Sequence, residues 1–122
     1  MPLSDNYFSL FADFEHETKR FNAGELIFSE GDEGREFYVI GSGTVSIKLG
    51  ERVIETLEPN AIFGEMALID FEPRSATAQA VTDVELVPIT QKRFLYLVSE
   101  APFFAVNVMR VMAERLRGRM RS

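Results

Sequence analysis

The stretch Phe63-Gly64-Glu65-Met66-Ala67-Leu68-Ile69, followed after Asp70-Phe71-Glu72 by Pro73-Arg74-Ser75-Ala76-Thr77-Ala78, decides the reading of this chain. It sets one carboxylate on a short apolar helical turn and, nine residues later, a lone arginine beside two small residues. A turn opening on Gly64-Glu65 offers backbone N–H groups without partners, which favour an anion. Arg74 adds a planar, permanently charged fork that matches phosphate oxygens. Ser75 contributes a hydroxyl, and Ala76 is small enough to let its backbone N–H approach a ligand. Glu65 would repel such an anion unless it accepts a hydrogen bond from a hydroxyl nearby, so the pair suits a molecule with a hydroxyl at one end and an anion at the other; a ribose phosphate fits both. The competing reading is a surface ion pair between Glu65 and Arg74, with Gly64 a plain turn residue.

Upstream, the texture is short β-branched or alternating runs broken by Gly, Asn, Asp and Pro. Lys19-Arg20-Phe21, Leu26-Ile27-Phe28, Phe37-Tyr38-Val39-Ile40, Val45 to Leu49 and Val53 to Leu57 read as strands,. Asn22-Ala23-Gly24, Gly31-Asp32-Glu33-Gly34, Gly41-Ser42-Gly43, Gly50-Glu51 and Glu58-Pro59-Asn60 separate them. Two more strands, Ser75 to Val81 and Val84 to Ile89, follow the opening motif. Strands at such close spacing indicate a sandwich or a barrel.

Both ends are helical in pattern. Tyr7 to Phe14 carries apolar residues at 7, 8, 10, 11 and 14, with Ser4 or Asp5 available as N-cap,. After Thr90, itself a fitting N-cap, Gln91 to Glu100 reads as a helix. Pro102 suits the first turn of another, running to about Arg119 with a narrow apolar stripe at 105, 109, 112, 116 and 120,. That stripe permits helix pairing with a second copy and equally permits docking on the strands.

Composition excludes several chemistries. The 122 residues suffice for one domain, and a net charge of −6 disfavours nucleic acid except through a local basic patch,. With no cysteine and His16 as the lone histidine, iron–sulfur, thiol and metal chemistry lack ligands, so no cofactor or metal is expected,. No segment approaches the ~20 apolar residues that cross a bilayer, and the first residues lack a secretory pattern. The expectation is therefore a cytoplasmic protein acting without membrane or nucleic acid by this chain alone.

Phe63 to Ala78 resembles the phosphate-binding cassette of cyclic nucleotide-binding domains, the family of protein kinase A regulatory subunits, nucleotide-gated channels and the catabolite activator protein. Phe21 to Phe28, Glu30-Gly31-Asp32, Phe37 to Ile40 and Ser42 to Val45 resemble the family's strand and turn pattern, so the likeness runs over roughly residues 16 to 118. It implies a mainly β fold with flanking helices: an eight-stranded jelly-roll β-barrel over 16–90 containing the cassette at 63–78. A short N-terminal helix over 4–15, a cassette helix and two C-terminal helices over 91–120 complete one domain spanning 1–122. It further implies that Glu65 binds the ribose 2′-hydroxyl and Arg74 the cyclic phosphate. Gly64, Ala67, Ser75 and Ala76 would supply backbone or hydroxyl contacts, and Ile47 and Ile54 would wall the base. Arg110 on the last helix is a candidate for stacking on a purine or a solvated surface residue. Asn60 stands where the family often has glycine, and Ser75 leaves the choice between adenine and guanine open.

The implied function is a ligand sensor, not an enzyme. It binds cyclic AMP, the favoured ligand, or cyclic GMP, and passes the event through its C-terminal helices to an effector protein, a fused effector or a second copy. The alternatives are a degenerate barrel serving as a dimerisation or interaction module, and the sensor half of a longer transcription regulator. Intact Glu65, Arg74 and Ser75 speak against degeneration.

Overall fold

The structure, a computed structural model, describes residues 18–68 and 72–121; the expected N-terminal helix and His16 lie outside the described residues. Eight strands appear in chain order: β1 (Lys19–Phe21), β2 (Leu26–Phe28), β3 (Glu36–Ser42), β4 (Val45–Leu49), β5 (Arg52–Leu57), β6 (Ile62–Phe63), β7 (Thr77–Ala80) and β8 (Val84–Thr90). A 3-10 turn, Glu65–Leu68, stands where a cassette helix was expected. The helices are α1 (Gln91–Glu100) and α2 (Pro102–Arg121).

The strands do not close into the barrel that the family resemblance implied. They form two open, four-stranded antiparallel sheets, one in the order β1-β8-β3-β6 and the other β2-β7-β4-β5. A barrel needs each strand to carry a ladder on both sides around the whole circuit. Here β1, β6, β2 and β5 each pair on one side only. β1 and β2 are three residues long and β6 two, so their ladders run out in the turns before reaching the other sheet.

Alternation along β3 explains how three layers are held together. Phe37 and Val39 face the helices, packing with Ile62, Val87, Ile89, Leu97, Phe104, Val108, Val111 and Met112. Tyr38 and Ile40 face the second sheet, packing with Val45, Leu57, Phe63, Ala78, Ala80, Val84 and Leu86. A strand covered on both faces reads as an unbroken apolar run, which is how Phe37-Tyr38-Val39-Ile40 reads. Edge-to-face contact of Phe94 with Phe37 at 5.9 Å adds to the bond between α1 and the sheet,.

The junction between β8 and the helices follows local chemistry. The Thr90 hydroxyl accepts a hydrogen bond from the Arg93 N–H at 3.3 Å and caps α1 as its sequence suggests,. Pro102 opens α2, where its missing N–H costs nothing,. Asn60 adopts φ +73°, the left-handed turn conformation that glycine would supply more readily,.

The apolar stripe expected along α2 is only partly the buried one. Phe104, Ala105, Val108, Val111 and Met112 are buried, whereas Met109 and Leu116 are exposed. The face turned to the sheet is centred about one position earlier, on the 104, 108, 111, 115 row, because packing on Phe37 and Ile89 rather than helix pairing sets its rotation. Among the described residues, no helix is long and apolar enough to cross a membrane.

Candidate functional site

One cavity of about 720 Å³ opens between the second sheet, the 3-10 turn and α2. Gly64, Glu65, Arg74, Ser75 and Ala76 line it, together with Ile47 on β4 and Ile54 on β5. Ala67 lies in the same 3-10 turn as Glu65. The structure thus gathers seven of the nine residues singled out from the sequence around one space. Arg110 is exposed on α2 and is not among the lining residues.

Arg74 is held by backbone and by rings. Its Nη2 donates to the Glu36 carbonyl at 2.7 Å and its Nη1 to the Gly64 carbonyl at 3.1 Å. Its guanidinium carbon lies 4.1 Å from the centre of the Phe28 ring, a cation–π contact,. The residue is only 7% exposed, its Nε has no hydrogen-bond partner among the described residues, and among them no carboxylate lies at ion-pair distance. Burial lowers its pKa, while the neighbouring Tyr38, Glu36, Asp32 and Glu65 act in the opposite direction,. A guanidinium in this state keeps its charge and has N–H groups to spare for an anion.

Local folding explains why the arginine is so placed. Gly64 has φ +81°, which turns the chain sharply out of β6 and aims its carbonyl at Arg74,. The Arg74 backbone is tied to the loop after β2 in both directions, accepting from the Gly31 N–H and donating to the Asp32 carbonyl, each at 2.8 Å. Burial raises the pKa of Tyr38, with the hydrogen-bonded Glu36 adding to the shift, so the phenol beside Arg74 stays neutral,.

Glu65 is held differently. It is 1% exposed and pairs with Arg115, which reaches in from α2. Arg115 also donates from Nη2 to the Ile62 carbonyl at 2.8 Å, and its Nε lies 3.5 Å from a Glu55 carboxylate oxygen. A buried carboxylate needs such a partner. Glu65 and Arg74 therefore do not form the simple ion pair that was the competing reading of the sequence.

Sequence reasoning did not single out Arg115, Phe28, Glu55 or Gly34 as part of the site. Arg115 was within reach: it falls four residues after the buried Val111 and three after the buried Met112, so it lies on the covered face of α2,. A charged residue in an apolar row calls for a buried partner.

Chemically the cavity can bind but offers little for catalysis. Among the described residues, no group of three or more side chains could hold a metal ion.

Comparison with known proteins agrees with this geometry. Residues 18–101 match the family described as the cyclic nucleotide-binding domain, and the chain belongs to that family. The cyclic AMP receptor protein of Thermus thermophilus is 40% identical over 99 residues, covering 77% of this chain and 46% of the relative. The crystal structure of the Thermus thermophilus catabolite activator protein superposes with a TM-score of 0.78 at 34% identity, over 97% of this chain and 59% of that one. A structure solved in work on a cyclic-GMP-dependent signalling pathway in bacterial phytopathogenesis gives a TM-score of 0.81 at 26% identity, covering 96% and 98%. The chain spans about half the length of the curated relative named above. It is thus a cyclic nucleotide-binding domain, similar to part of a cyclic AMP receptor protein and of a catabolite activator protein.

Proposed function

We propose that the cavity takes a cyclic nucleotide with its phosphate on Arg74 and its ribose 2′-hydroxyl on Glu65. The observation that carries this reading is the state of Arg74: buried, anchored to two carbonyls, and without a carboxylate at ion-pair distance among the described residues. Gly64, Ala67, Ser75 and Ala76 contribute backbone and hydroxyl contacts, while Ile47 and Ile54 wall the base. Cyclic AMP is favoured because the Thermus relative is a cyclic AMP receptor; a structural neighbour from a cyclic-GMP pathway keeps cyclic GMP as the second candidate. Arg110 lies outside the cavity and would meet a purine only after α2 moves.

Coupling runs through Arg115. A ribose hydroxyl that donates to Glu65 competes with Arg115 for the same carboxylate, so binding loosens the end of α2 from the cavity. The shift in population equals the difference in ligand affinity between the paired and released states. Phe103, Met109 and Leu116, exposed on α2, form the surface that would change its presentation to an effector or a second copy. The likeness to about half of a receptor protein supports a sensor portion of a longer cytoplasmic regulator, with residues 1–122 acting as one domain.

Titration calorimetry with cyclic AMP and cyclic GMP tests the reading. A cyclic nucleotide has about 22 heavy atoms, and roughly 0.3 kcal/mol per atom gives a dissociation constant on the order of micromolar. Saturable binding in that range, lost in Arg74→Ala, is the expected result. No heat and no thermal shift at millimolar ligand, from folded protein, would instead favour an interaction module.

A further inference from the structure

Gly34, in the loop between β2 and β3, is a glycine without the usual reason to be one. Gly24, Gly31, Gly43, Gly50 and Gly64 all have positive φ, a conformation that other residues resist,. Gly34 is not among them, so its backbone would accept alanine. What is missing at Gly34 is room. A Cβ built there would overlap the Arg74 guanidinium at Nε, Cζ and Nη2. All three nearest obstacles belong to that one side chain.

The loop has little freedom to retreat. On its near side, the Gly31 N–H donates to the Arg74 carbonyl and the Arg74 N–H to the Asp32 carbonyl; the Asp32 carboxylate also accepts from the Ser29 N–H at 2.9 Å. On its far side, the Glu36 carbonyl holds Arg74 Nη2 and opens β3. A side chain at 34 therefore displaces the end of Arg74, which is flexible, before it displaces the backbone, which is tied.

We propose that Gly34 is a positioning residue for the anion end of the cavity. Its bare backbone lets the guanidinium lie against the loop, within reach of the Glu36 and Gly64 carbonyls and the Phe28 ring, with its remaining N–H groups left for the ligand. This rests on the assignment of the phosphate to Arg74. Nothing in the charge or size of Gly34 contacts the ligand; it acts through Arg74 alone.

The test is a double-mutant cycle on the whole chain, with cyclic AMP and cyclic GMP as probes in titration calorimetry. Gly34→Ala is expected to weaken binding by about 10- to 100-fold, the size of a misdirected charge-assisted contact. In Arg74→Lys, which keeps the charge without the broad guanidinium head, adding Gly34→Ala is expected to change affinity less than about threefold. Nuclear magnetic resonance of the Arg74 Nε–H in ligand-free protein supplies a readout that a loss of loop stability would not move in this way: its resonance shifts in Gly34→Ala. Wild-type affinity in Gly34→Ala, an equal loss in both backgrounds, or an unmoved Nε–H resonance overturns the proposal. If Gly34→Ala does not fold, Gly34→Ala with Arg74→Ala must fold, since the obstacle has gone; failure of that pair overturns it too. Unchanged binding in Arg74→Ala alone would instead remove the phosphate assignment, a different outcome read from the same titrations.

Discussion

The two ends of the cavity are built on opposite plans. At the proposed anion end, Arg74 is fastened by carbonyls of Glu36 and Gly64 and by the Phe28 ring, with Gly34 leaving the space that a Cβ would fill, all parts of the β scaffold and its loops. At the proposed sugar end, Glu65 is fastened by Arg115, a side chain of α2. A ligand bound as proposed finds the first end ready and must disturb the second. Under the proposed assignment, the anion end supplies affinity at little cost in ordering, and the sugar end supplies the signal, because occupying it competes with a contact made by an element that can move.

Four measurements sharpen or break this comparison. Phe104→Ala empties the centre of the layer that binds α2 to the sheet, and should lower stability by about 3–5 kcal/mol in chemical unfolding,. A loss below about 1 kcal/mol would mean α2 is not fastened by this cluster, and that the sugar end rests on a looser support than described. Arg74→Ala should weaken cyclic nucleotide binding by about 2–4 kcal/mol by calorimetry, through loss of a charge-assisted phosphate contact. Unchanged affinity would break the comparison at its anion end.

The sugar end should respond more mildly. Glu65→Gln keeps an oxygen able to accept from a hydroxyl, so it should cost about 1–2 kcal/mol of affinity, less than Arg74→Ala. The reverse order of the two losses would show that the roles are misassigned. Arg115→Ala removes the competitor for Glu65 and should tighten binding by about fivefold, near 1 kcal/mol, while lowering the thermal midpoint of the ligand-free protein because a buried carboxylate is left unpaired. Weaker binding in that variant would make Arg115 a ligand contact instead of a latch.

Much of the cavity lining was legible in the chain because it is local. Gly64, Glu65, Arg74, Ser75 and Ala76 fall within thirteen positions, and the residue types announce an anion and a hydroxyl partner on chemical grounds. Ile47 and Ile54, on neighbouring strands, came from the family resemblance, and both line the cavity. Arg115 and Gly34 were not legible in the same way. Each is defined by a contact across the fold, fifty residues in one case and forty in the other, and the chain around each offers an adequate local reason for its presence: a basic helix end, and a turn.

The amino-acid sequence by itself determined seven of the eight strands, all but β6, with their turns, the capped start of α1 at Thr90, the break at Pro102 and the position of the 63–78 motif. These depend on spacing, backbone preference and side-chain chemistry within a few residues. Only the tertiary structure decided that the strands stop as two open sheets, since whether an edge strand finds a second neighbour depends on where distant turns leave its end. It also decided which face of α2 is covered. That rotation follows from packing on Phe37 and Ile89, and it carries Arg115 into the cavity and leaves Arg110 outside.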